Sequence, residues 1–170
     1  MMKPKSPADV DYPFAGLNGL TYGIRKGELI TITAGSGLGK SQFVREIVWH
    51  ILCKTQDNIG LMFLEEDLQK TGQSLMSLHA NMPLHLPSTE APKEVWDSAF
   101  EAVHGTRRIY MFDHFGSTSI DNIVNRAKYY AKARDCQYIV LDHVSIVVSA
   151  QASGDERKAL DEIMTKLRML

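Results

Sequence analysis

The chain has 170 residues, of which 44% are hydrophobic and 23% charged, and its formal net charge is -1. That is enough apolar material for one core, without the acidic excess of a disordered chain or the basic excess of a histone-like binder. Cys53 and Cys136 lie too far apart to suggest a zinc site or a disulfide framework; no run approaches the roughly 20 apolar residues of a membrane span, so a soluble cytoplasmic protein is expected.

Residues 1–12 are polar and proline-containing and read as a loose lead-in. Residues 29–33 (Leu-Ile-Thr-Ile-Thr) are rich in β-branched side chains and bounded by Gly27 and Gly35, which predicts a buried strand. From Ser41 the period changes: Phe43, Val44, Ile47, Val48, Ile51 and Leu52 fall on one helix face. Residues 59–64 form a second predicted strand. Leu68, Leu75 and Leu78 mark a helix weakened by Gly72, and residues 81–92, with three prolines, read as a surface connection. Pro92 suits the first turn of a helix carrying Val95, Trp96, Ala99, Phe100 and Val103. Residues 109–112 are a third strand. Ser119 caps a helix with Ile123, Val124, Ala127 and Ala131 inward, and residues 138–141 are a fourth strand ending at Asp142. Ser153 and Glu156 have capping-box spacing before a helix with Leu160, Ile163, Met164 and Leu167 on one side. Strands alternating with helices of these lengths predict an α/β fold, a parallel sheet with helices on both faces.

Between the first predicted strand and the first helix stands Ala34-Gly35-Ser36-Gly37-Leu38-Gly39-Lys40-Ser41. Glycines let backbone N–H groups turn toward a phosphate without side chains in the way, and the helix start adds its positive dipole end. Gly35, Ser36, Gly37, Leu38 and Gly39 would cradle the phosphates. Lys40 would reach the β- and γ-phosphates, and the Ser41 hydroxyl would ligate magnesium. The usual pattern opens on glycine, where this chain has Ala34.

An apolar strand ending in Asp142 has the form of a Walker B element, its carboxylate holding a magnesium-bound water; the alternative is a loop cap. Hydrolysis also needs a water-orienting base. Glu65 and Glu66 follow the second strand and emerge at its carboxyl end. Glu65 is expected to point into the site, with Glu66 facing solvent or starting the next helix; the alternative is a pair of first-turn carboxylates favoured by the helix dipole. Asp113 and His114 read as loop residues, and His143 either touches the site or packs.

The intervening residues carry a resemblance. Gly27-Glu28, Ser36 through Ser41, Leu64-Glu65-Glu66, Leu141-Asp142-His143-Val144-Ser145-Ile146-Val147-Val148-Ser149, Asp155-Glu156-Arg157-Lys158 and Met164-Thr165-Lys166-Leu167 together look like the helicase domain of phage primase-helicases. That family is related to Twinkle and, more distantly, to the DnaB-like replicative helicases. The likeness covers residues 16–170, leaving 1–15 as lead-in. It implies a RecA-like P-loop NTPase and DNA helicase driven by ATP or dTTP with Mg2+, with Lys40 and Glu65 catalytic and Ser41 and Asp142 holding the metal. As partners it implies single-stranded DNA, further copies of the chain in a ring, commonly a hexamer, and primase and DNA polymerase, in the cytoplasm of a phage-infected host.

In that family the chain continues into a strand lying between the phosphate-loop and Walker B strands, then a DNA-binding loop and an arginine finger. The resemblance therefore implies a partial domain lacking its C-terminal strands, weakly active or inactive alone, since an arginine finger is worth about 10³ to 10⁵ in rate. A RecA- or clock-type ATPase relative and a non-enzymatic nucleotide-binding remnant are the alternatives.

Overall fold

A computed structural model describes residues 7–35, 37–113, 119–149 and 156–170. The chain forms two compact units, residues 1–56 and 57–170.

In the first unit, α1 (Ala15–Thr21) and α2 (Lys40–Lys54) are joined by extended and turn segments. The lead-in is not loose from residue 7 onward. Val10 and Tyr12 are buried, and Val10 forms an antiparallel bridge with Ile24. Asn18 exchanges two hydrogen bonds of 2.7 Å with the Tyr12 backbone. His50 on α2 meets Asp11 at 2.8 Å, which lowers the Asp11 pKa, and the rings of Phe14 and Phe43 stack at 4.8 Å. Helix α2 buries Ile47, Val48, Ile51 and Leu52, as their spacing predicts. Phe43 and Val44 are only partly buried.

The predicted buried strand at residues 29–33 is overturned. Among the described residues the segment pairs with no strand, and Leu29 and Ile30 are 45% and 43% exposed. A strand exists through its ladder, and β-propensity measures fit to a pleated surface rather than an intrinsic backbone state. With no neighbour supplying donors and acceptors, the β-branched run stays irregular.

In the second unit, β1 (Asn58–Phe63), β2 (Ile109–Met111) and β3 (Cys136–Asp142) form a parallel sheet in the order β2-β1-β3. Helices lie on both faces. Leu61 pairs with Met111 and so shares a face with it; on that side Gly72 of α3 (Leu68–Ala80) lies near the Met111 side chain. On the other side Met62 and Leu64 join Ile120, Ile123, Val124, Ala127 and Tyr130 of α5 (Ile120–Ala133) in one core. Val147 of α6 (Val144–Ser149) and Ala159 and Ile163 of α7 (Glu156–Arg168) complete it. Gly60 is required there, because a Cβ on it would sit 2.5 Å from the Tyr130 ring.

Local signals largely hold in this unit. Asp67 caps α3 and Ser119 caps α5 through their side chains. Pro92 stands just before α4 (Lys93–Phe100), which runs on into a single π-helical turn, Glu101–Gly105. Three inward assignments shift. Phe100 is exposed while Ala99 and Val103 are buried; Leu160 is exposed while Ala159 is buried; Tyr130 is buried where Ala131 was expected. In each case a single member of the stripe changes while the rest stays buried or half-buried, because packing partners set which residues fill the interface. Helix α6 is unforeseen by periodicity. Ser153 and His114 lie outside the described residues, and no helix among them is long and apolar enough to cross a membrane.

Candidate active site

The glycine loop lies in the first unit. Gly37 and Gly39 adopt φ of 75° and 79°, a left-handed backbone that residues with a Cβ rarely take. Gly39 is the N-cap of α2, Lys40 its first residue and Ser41 its second, both half-buried; Gly35 and Leu38 are exposed, and Ser36 lies outside the described residues. Helix α2 starts with no side-chain cap and no acidic residue in its first turn. By contrast, α3 and α5 start on an aspartate and a serine that accept first-turn N–H bonds. An uncapped start behind a glycine loop leaves donors and a partial positive charge for an anion.

The strand-end residues lie in the second unit. Strands β1 and β3 run side by side with Phe63 opposite Asp142, and the Leu64 N–H donates to the Asp142 carbonyl at 2.7 Å, extending the ladder past the strand. Glu65 and His143 therefore leave the sheet next to each other. The Nε2 of His143 lies 2.8 Å from Oε1 of Glu65, across 78 positions of sequence. The two glutamates differ from expectation in exposure: the Glu65 side chain is 60% exposed and that of Glu66 13%, the latter paired with Lys70 at 3.5 Å. Glu66 lies in the bend just before Asp67, the N-cap of α3.

Asp142 is only 7% exposed, and its carboxylate forms no hydrogen bond or ion pair with any described residue. Its oxygens keep acceptor positions that a cation can take. Among the described residues no three metal-ligating side chains cluster. A magnesium ion, which keeps several waters and takes one or two protein ligands beside phosphate oxygens, needs no such cluster, and the Asp142 carboxylate is an oxygen donor of the kind it takes. Magnesium there would neutralise charge on the phosphates.

The sequence alone left His143 between touching the site and packing. The structure puts its Nε2 on Glu65 and encloses its Nδ1. The signal available beforehand was its place one residue past Asp142.

A parallel sheet covered by helices on both faces, with a carboxylate closing one strand, is the arrangement of a RecA-like domain. More narrowly, the chain belongs to the DnaB-like helicase C-terminal domain family, whose profile matches residues 10–170. It is 37% identical over 158 residues to the DNA helicase/primase of Enterobacteria phage T3, covering 90% of this chain and 28% of that protein. It is 21% identical over 160 residues to the replicative DNA helicase DnaB of Geobacillus stearothermophilus, covering 92% of this chain and 35% of that protein. The chain thus spans about a third or less of the length of these curated relatives.

Proposed function

We propose that this chain is the nucleotide-binding core of a replicative DNA helicase, in which hydrolysis of ATP or dTTP drives movement on single-stranded DNA and separation of the duplex. The observation that carries the reading is the nearly buried Asp142 at a strand end whose neighbouring strand delivers Glu65 to the same edge of the sheet. Similarity to a phage helicase/primase supports it.

In this reading the amides of residues 35–41 hold the phosphates, and Lys40 places a positive charge on the β- and γ-oxygens. Ser41 and Asp142 support Mg2+, and Glu65 orients the attacking water and accepts its proton. Residues 16–170 form the motor domain. Further copies of the chain in a ring, single-stranded DNA, primase and DNA polymerase are its partners, in the cytoplasm of an infected bacterial host.

Titration of the purified chain with fluorescent ATP and dTTP analogues, with and without Mg2+, tests this. Binding is expected to require the metal. Lys40→Ala removes a charge-assisted bond worth about 1.5–3 kcal/mol, so affinity should fall roughly 10- to 100-fold, with the unfolding midpoint unchanged. Asp142→Asn should erase the Mg2+ dependence. Equal affinity in all three proteins would remove the proposal.

A further inference from the structure

We infer that His143 is the positioning residue for Glu65: it anchors one carboxylate oxygen so that the other is presented to the attacking water. This rests on the assignment of Glu65 as the base and goes beyond it by naming what holds that base in place.

The geometry separates the holder from the held. Glu65 sits in the turn after β1 with a 60% exposed side chain, and its other carboxylate oxygen bonds no described residue. Left alone, such a side chain samples many rotamers. His143 is 25% exposed, has only two side-chain torsions, and follows directly on the ladder bond between Leu64 and Asp142. Its Nδ1 is buried with no partner among the described residues, so the ring's polar anchorage there runs through Nε2 to Glu65. A carboxylate only accepts, so the shared proton belongs to Nε2. The rigid ring therefore fixes the flexible carboxylate at 2.8 Å through Oε1, leaving Oε2 for water.

The arrangement has a chemical use. A base must lie within hydrogen-bond reach of the proton it takes, and a misplacement of about 1 Å can cost on the order of 10² in rate. Contact through one oxygen leaves the lone pairs of the second available. It also ties the base to the strand whose end carries Asp142, so the base and the metal-supporting carboxylate move with one ladder.

The experiment uses the purified chain at one fixed pH, with two readouts. In long-range 15N imidazole spectra, wild type should show a protected Nε2–H that is lost or shifted in Glu65→Gln. In single-stranded-DNA-stimulated NTP hydrolysis, His143→Ala should lower kcat about 10- to 100-fold with KM and nucleotide affinity within twofold of wild type. His143→Gln, which keeps an N–H donor, should recover much of that loss, and His143→Ala should cost nothing further in a Glu65→Gln background. An unprotected Nε2–H, a His143→Ala protein with wild-type kcat beside an inactive Glu65→Gln, or a loss confined to KM would overturn the positioning role while sparing the base assignment. If Glu65→Gln turns over like wild type, the base assignment itself fails, and the role of His143 with it.

Discussion

Two apolar stretches of similar composition, residues 29–33 and 59–63, meet opposite fates. The first, Leu-Ile-Thr-Ile-Thr, stays irregular with Leu29 and Ile30 exposed; the second, Ile-Gly-Leu-Met-Phe, becomes the central strand of the sheet with every residue buried. By residue preference the first is the better strand, since it has four β-branched members that stiffen χ1 and the second has one plus a glycine. What decides is pairing. Residues 59–63 have Ile109, Tyr110 and Met111 on one side and residues 138–142 on the other, so their backbone groups are satisfied and their side chains are enclosed by helices on both faces.

That contrast can be broken directly. Leu61 is 1% exposed at the centre of the sheet, so Leu61→Ala should cost about 2–5 kcal/mol of unfolding free energy through lost burial and the cavity left behind. Ile30→Ala should stay within about 0.5 kcal/mol, as for an exposed site. Urea unfolding of both variants checks this, and comparable losses would mean that residues 29–33 are enclosed after all.

Gly60 sharpens the comparison from within the sheet. It is the residue that propensity counts against the central strand, yet it lets Tyr130 lie flat on the sheet. Gly60→Ala should therefore destabilise by about 1–3 kcal/mol, against the usual gain in strand preference, and pairing it with Tyr130→Leu should recover part of the loss. The Tyr130 hydroxyl is buried without a partner among the described residues, and burial pushes its pKa up to about 12, so the site has no slack to absorb a methyl.

The smallest effect concerns the edge of the same unit. His104, in the π-helical turn, packs against Gly72, and burial holds its pKa below the ordinary value of 6.5. Because the folded value is depressed, the unfolded chain binds the proton more readily. The associated stability is therefore complete above pH 6.5 and declines as the pH falls through the lowered value. Unfolding midpoints between pH 5 and 8 should show a slope that His104→Gln makes shallower; an unchanged slope would place the dependence on other groups.

Much of the fold is legible in the residues because it is local. Ser119 announces its helix through short-range capping, and the three- and four-residue spacing of Ile47, Val48, Ile51 and Leu52 predicts a face that α2 does bury. The glycine loop is legible for the same reason, since left-handed turns at Gly37 and Gly39 are a property of those residues alone. Asp142 at a strand end is legible too, because an apolar run followed by a carboxylate is written in consecutive positions.

Tertiary structure decided the rest. Whether a β-branched run is a strand depends on backbone groups donated from elsewhere, so residues 29–33 could not reveal their state. The burial of Tyr130 over Gly60 and the meeting of His143 with Glu65 join positions 70 to 80 apart, through a parallel register that no single segment encodes. Short-range preference and periodicity are properties of one stretch of chain; a ladder, a packed ring and a hydrogen bond across two strand ends need two, and only folding brings the second one in.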